Sequence, residues 1–162
     1  MKKDINKCIE IYKKQLEDES IQTAYITLMR YIAKLKASFP KEYKTGHVSR
    51  GFLDYTYFPF FNDYLRKHKL RFGIVLNHKK MQFELWLMGQ NKTLQKEYWE
   101  ILKDTSWNKD KLIRPKYSVL EVCLLDKINF DDKEKMTAQI LSQAIFLSKE
   151  IQNYLENNDN SC

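Results

Sequence analysis

Glycine is scarce in this chain: there are 4 in 162 residues, and none falls in GxGxxG or GxxxxGK(S/T). Phosphate cradles of those two kinds, which need glycine so that the backbone can approach the anion closely, are absent. The 3 cysteines, Cys8, Cys123 and Cys162, lie far apart with no CxxC pair. That spacing argues against a disulfide framework and a zinc knuckle, and fits a reducing compartment. Cys8 and Cys123 fall within apolar patterns and read as small core residues. The 3 histidines, His47, His68 and His78, have no HxxxH, HxH or HExxH spacing, so no local metal site is encoded. There is no GxSxG elbow. His47, Ser49 and Asp54 do not make a triad either, because on one strand Asp54 points to the face opposite the other two. Apolar runs are only a few residues long, and Met1-Lys-Lys-Asp-Ile-Asn-Lys is followed by no apolar core of a leader. Signal peptide and membrane span are excluded on this reading, and a cytoplasmic protein is expected. No catalytic residue, cofactor or metal is assigned.

The composition that remains is that of a globular domain, with 43% hydrophobic, 14% aromatic and 30% charged residues. A chain of this length buries roughly 70% of the surface its unfolded form exposes, enough for a core without metal or disulfide. One domain over residues 1–156 is expected, with a frayed tail at 157–162. The net charge of +7, from 28 Lys and Arg against 21 Asp and Glu, gives weak attraction to phosphate backbones. The excess gathers in two stretches: Arg66, Lys67, Lys69, Arg71, Lys79 and Lys80, then Lys109, Lys111, Arg114 and Lys116. No nucleic-acid motif accompanies them, which favours a solvated surface over a nucleic-acid footprint.

Apolar residues recur at three- and four-residue steps through Ile5, Cys8, Ile9, Tyr12 and Leu16, and again through Ile21, Tyr25, Leu28, Ile32, Leu35 and Phe39. These patterns predict helices over 4–18 and 20–38, packed as a hairpin, with Ser20 as an N-cap and Pro40 ending the second. From His47 to Phe58 the text turns β-rich and aromatic, and Pro59 is expected to stop that strand. A short helix near 61–67 follows. Leu70, Phe72, Ile74 and Leu76, then Met81, Phe83, Leu85 and Leu87, alternate with other residues and predict a hairpin. A turn centred on His78 and Lys79 would pair Leu76 with Met81, Ile74 with Phe83 and Phe72 with Leu85, and would set Arg71 opposite Trp86. Asn91 caps a helix over 92–104, residues 117–125 form a strand, and Asp131 or Asp132 starts a helix with Met136, Ile140, Ala144, Leu147, Ile151 and Leu155 inward. The class is α+β: a mainly antiparallel sheet of about four strands, an N-terminal helical hairpin, a helix after the central hairpin and a C-terminal helix.

The most distinctive text is Gly51-Phe-Leu-Asp-Tyr-Thr-Tyr-Phe-Pro-Phe-Phe, Gly73-Ile-Val-Leu-Asn-His, Phe83-Glu-Leu-Trp-Leu-Met-Gly-Gln-Asn, Tyr98-Trp99 and Ser106-Trp107-Asn108. Over about residues 51–108 it resembles an uncharacterised family of small bacterial proteins. The resemblance implies a bacterial or phage origin and carries no catalytic or binding residues with it.

Read physically, the same text brings Tyr55, Tyr57, Trp86, Trp99 and Trp107 near Asp54, Glu84, Gln90 and Asn91, with Arg50 and Arg71 as cationic forks. One reading is an aromatic-lined pocket for a small molecule or a protein partner, without catalysis. The alternative is aromatic core whose polar neighbours satisfy the indole and phenol groups. A nucleic-acid-associated protein with a degenerate restriction-endonuclease-like core is another reading, with Asp54 and Glu84 as the acids. Such a core needs a lysine two residues after the second acid, and Trp86 stands there. Homodimerisation through an exposed apolar helix face is a third.

Overall fold

The computed structural model describes residues 3–158, which form two compact units divided after Ser38. The first holds α1 (Ile5–Gln15) and α2 (Ser20–Ala37). Asp4 starts α1, its carboxylate accepting from the Asn6 N–H at 3.0 Å, one of the first-turn donors that has no partner inside a helix. Ser20 does not cap α2 as expected. Glu19 takes the cap position with φ 59° and no side-chain bond, and Asp18 accepts from the N–H of Ser20, now the first residue of the helix, at 3.0 Å. α1 buries little of its apolar stripe within this pair of helices. Ile5, Ile9 and Tyr12 are 67%, 56% and 63% exposed, and no α1 residue is buried. In α2, Leu28, Tyr31, Ile32 and Leu35 are buried on one helical face.

The second unit contains β1 (Lys44–Thr45), β2 (Tyr55–Phe61), α3 (Asp63–Lys67), β3 (Leu70–Asn77), β4 (Gln82–Gly89), α4 (Lys92–Leu102), β5 (Leu120–Leu125) and α5 (Lys133–Asn158). The strands pair in chain order, each antiparallel to the next. This is the expected α+β architecture with five strands rather than about four; β1, at two residues, is too short to leave a periodic signal. Of the tail expected to fray, residues 157 and 158 close α5, while 159–162, including Cys162, lie outside the described residues.

Pro59 does not stop β2 but sits inside it, opposite Gly73. Its carbonyl accepts from the Gly46 N–H at 2.9 Å. In a strand a residue's N and O point the same way, so the missing N–H faces short β1 and the ladder to β3 loses nothing. Most of the strand expected over His47–Asp54 is loop. Asp54 fixes it, one carboxylate oxygen accepting from the N–H groups of Phe52 at 2.8 Å and Tyr55 at 2.7 Å. The His78 N–H donates to the Asp54 carbonyl at 3.0 Å, fastening this loop to the β3–β4 turn.

The central hairpin is two residues out of the expected register. Asn77 pairs with Gln82, so Leu76 faces Phe83, Ile74 faces Leu85 and Phe72 faces Leu87. The turn takes four residues, not two: Asn77 Oδ1 accepts from the Lys80 N–H at 3.2 Å, and Met81 closes it with φ 51°. A slip of two keeps every side chain on its intended face, because the strand period is 2. Met81 leaves the core and is 41% exposed, and Trp86 stands opposite Gly73 rather than Arg71.

One face of the sheet is mainly apolar, with Thr56 at its edge beside Leu76: Phe58, Phe60, Phe72, Ile74, Leu76, Phe83, Leu85 and Leu87 are all buried. Phe39 and Tyr43 set their rings 4.5 and 5.3 Å from that of Phe60, and each fully buried phenylalanine contributes about 2–3 kcal/mol. α5 packs against β5. Its inward stripe is as expected except that Ser148 replaces Leu147; the serine tolerates burial because its hydroxyl donates to the Ile145 carbonyl at 3.0 Å.

Gly51 lies in the left-handed region, φ 66°, and a Cβ there would sit 2.2 Å from the Tyr55 carbonyl oxygen. Gly73 would meet only the end of the flexible Met88 side chain, at 2.6 Å. Urea denaturation is expected to show Gly51→Ala destabilised by about 2 kcal/mol or more and Gly73→Ala within about 1 kcal/mol of the parent. Equal losses would contradict this account of the two glycines.

Candidate functional site

The second face of the sheet mixes aromatic and polar side chains. Val75, Trp86 and Met88 form its buried centre, and Tyr55 and Tyr57 pack against it half-buried. The Tyr55 ring lies 4.8 Å from Trp86 and 6.3 Å from Tyr117. Beside them Glu84 is buried, and its carboxylate is saturated. It accepts from Trp86 Nε1 at 2.7 Å, from Asn77 Nδ2 at 3.1 Å and from Gln82 Nε2, while the Lys80 ammonium stands 3.8 Å away. A buried carboxylate is tolerable only when met by such donors. The indole N–H is thereby committed inside the protein, and Trp86 is 4% exposed.

Of the expected site residues, the fold thus brings together Tyr55, Tyr57, Glu84 and Trp86. The others do separate work. Arg50 is exposed, and its carbonyl accepts from Thr56 Oγ1 at 2.7 Å. Asp54 holds its own loop, where the Phe52 N–H, then that of Tyr55, lowers its pKa. Asn91 caps α4, accepting from the Leu94 N–H at 2.9 Å. Trp99 is buried on α4, and Trp107 packs edge-on against Tyr154 of α5, 5.8 Å between rings.

Arg71 lines a different feature, a hollow of about 410 Å³ formed with Phe61, Arg66, Lys69, Leu70 and Gln90. The ends of β2, α3, β3 and β4 meet there, and the Gln90 N–H donates to the Lys69 carbonyl at 3.0 Å. Among the described residues three cations line it and no carboxylate does. A second hollow, about 310 Å³, is lined by Lys67, His68, Lys69, Leu94, Glu97, Tyr98 and Ile101, so Lys69 borders both. In the sequence Arg66 and Lys69 read only as charge, while Arg71 and Gln90 are expected beside the aromatic cluster, from which the structure separates them into this hollow.

The basic stretches are also redistributed. Lys79 and Lys80 lie in the β3–β4 turn, at the far end of β3 from Arg71, roughly 20–25 Å along the strand. In the second stretch, Arg114 donates to Gln95 Oε1 at 3.1 Å and to the Pro115 and Ser118 carbonyls at 2.9 and 3.3 Å. Lys111 donates to Asn108 Oδ1 at 3.2 Å and to the Glu121 carbonyl at 3.0 Å. Both hold the loop before β5 in place.

Residues 5–155 match a family described as a domain of unknown function, DUF7000. The chain belongs to the DUF7000 family. The match extends well beyond the residues 51–108 over which the family resemblance was read. No curated protein and no solved structure matches the chain, so the chemistry of this DUF7000 domain rests on its own residues. Partial desolvation, then the carboxylates of Asp126 and Glu84, pushes the Cys123 thiol up, away from the thiolate that a nucleophile requires. Among the described residues no group of three His, Cys, Asp or Glu side chains is placed to hold a metal ion, and no helix is long and apolar enough to cross a membrane.

Two measurements test this reading. Glu84→Ala leaves the indole and amide donors buried without their acceptor, and is expected to cost about 3 kcal/mol of stability. An unchanged urea midpoint would show the network to be dispensable. His78 Nε2 lies 2.8 Å from Thr56 Oγ1, whose hydroxyl hydrogen goes to the Arg50 carbonyl, so the imidazole donates. Desolvation lowers the His78 pKa despite the Asp54 charge. The unfolded chain therefore binds this proton first, and stability is expected to fall as pH drops below about 6.5 toward the lower folded value. His78→Gln should flatten that part of the stability–pH profile.

Proposed function

We propose that this DUF7000 domain is a binding module, not an enzyme, for a small anionic ligand taken up in the hollow between Phe61, Arg66, Lys69, Leu70, Arg71 and Gln90. The observation that carries the reading is the convergence of Arg66 from α3, Lys69 from the following turn and Arg71 from β3 on one concavity without an acidic lining residue among the described residues. Among the described residues these three side chains make no ion pair or hydrogen bond. Like charges gathered in a concave site raise the local potential for an anion, and each guanidinium can offer a planar pair of donors to a carboxylate or phosphate. The volume suits a small molecule.

The aromatic cluster then serves as scaffold, with Arg71 the one expected site residue that reaches the ligand. The groups with shifted acidity among the described residues, Asp54, Tyr55, His78, Lys103, Lys111, Lys116 and Cys123, do not line the hollow, which favours binding over acid–base or nucleophilic chemistry. The free thiols of Cys8 and Cys123 are in keeping with a cytoplasmic protein.

Calorimetric titration with inorganic phosphate and with pyrophosphate at low salt tests the proposal. Saturable binding that weakens as salt rises is expected, with Arg71→Ala and Arg66→Ala each reducing affinity about tenfold. Absence of binding to the parent protein, or affinities unchanged in both variants, would overturn it.

A further inference from the structure

We infer that the ligand is a phosphorylated aminated heterocycle, of the nucleotide type, lying across Lys69 with its phosphate in the first hollow and its ring in the second. This rests on the proposed anion-binding role of the first hollow. The two hollows share Lys69 as a common wall, yet their chemistry differs. The first presents Arg66, Lys69 and Arg71. The second is floored by Leu94, Tyr98 and Ile101, which with Glu97 occupy positions i, i+3, i+4 and i+7 of α4 and so form one stripe along the helix. Tyr98 is buried, while Leu94 and Ile101 are half-buried, giving an apolar bed of the sort on which a flat ring rests.

Glu97 decides what kind of group fits that bed. It is exposed and is the one acidic group among the described residues lining this hollow, where Lys67, His68 and Lys69 complete the rim; its carboxylate offsets part of their charge and can accept a hydrogen bond from a ring amine. An inorganic anion would make no use of the apolar bed, and an alkyl chain would gain nothing from the carboxylate. A heterocycle bearing an exocyclic amine uses the apolar bed and the acceptor together, and its phosphate reaches the cations on the other side of Lys69. The amine donates without transferring its proton, so no bond is made or broken.

Parallel titrations of the parent protein with inorganic phosphate, adenosine and adenosine monophosphate test the inference. The monophosphate is expected to bind about tenfold or more tighter than inorganic phosphate, the gain that a rested base supplies, and adenosine more weakly than either. Glu97→Ala should weaken the monophosphate about fivefold and leave inorganic phosphate unchanged, while Arg71→Ala weakens both. Because Arg71 and Glu97 are exposed, neither substitution removes a core contact. Phosphate binding with no gain for the monophosphate would overturn the bipartite ligand and leave the anion-binding role standing. Binding of neither would overturn both. Binding of a single-stranded oligonucleotide without the monophosphate would replace the small ligand by a polymer.

Discussion

The pairing of β3 with β4 is the constraint on which the rest of the second unit depends. Eight residue pairs run from Leu70 and Gly89 at one end to Asn77 and Gln82 at the other. The pleat of that ladder sorts side chains into two populations. One face receives Phe72, Ile74, Leu76, Phe83, Leu85 and Leu87, the other Val75, Glu84, Trp86 and Met88. Because β2 and β5 join in the same antiparallel sense, each inherits its facing from the hairpin, and a shift of one residue would turn both strands inside out.

The two ends of the hairpin do different work. At the His78 end the turn is tied to the preceding loop through the Asp54 carbonyl and Thr56 Oγ1, and Asn77 and Gln82 both reach Glu84. Polar groups at this end satisfy one another, which gives a buried carboxylate a stable setting but leaves it little to offer an outside molecule. At the Leu70 end the opposite holds. Lys69 turns the chain from α3 into β3 with φ 55°, Gln90 meets it across the ladder, and the cations nearby have no carboxylate lining their hollow. Mutually satisfied polar groups gather at one end, and the cations that line the hollow at the other.

The loop before β5 joins these roles. Asn108, buried, donates to the Val119 carbonyl at 3.1 Å, and Arg114 ties the same loop to Gln95 of α4. Cations that look in the sequence like part of a basic surface are here structural, holding a segment that has few apolar contacts of its own. This is why net charge alone was a poor guide to the site: Arg71 and Arg114 look alike in a composition, and differ only in what surrounds them.

What the sequence by itself determined follows from local or periodic physics. The alternation in β3 and β4, the cap at Asn91, the stripe through Met136, Ile140, Ala144, Ile151 and Leu155, and the α+β class were all legible, because each depends on residues a few positions apart. Where a local rule met a longer-range alternative it failed. Pro59 continues a strand because its missing donor faces a two-residue edge, and the hairpin turn lengthened because Asn77 and Met81 could close four residues. Tertiary structure alone decided that Trp86 would spend its N–H on Glu84, and that Phe61, Arg66, Arg71 and Gln90 would border one hollow. Those residues come from the ends of four different elements, and only the register of the ladder between them fixes which ends meet.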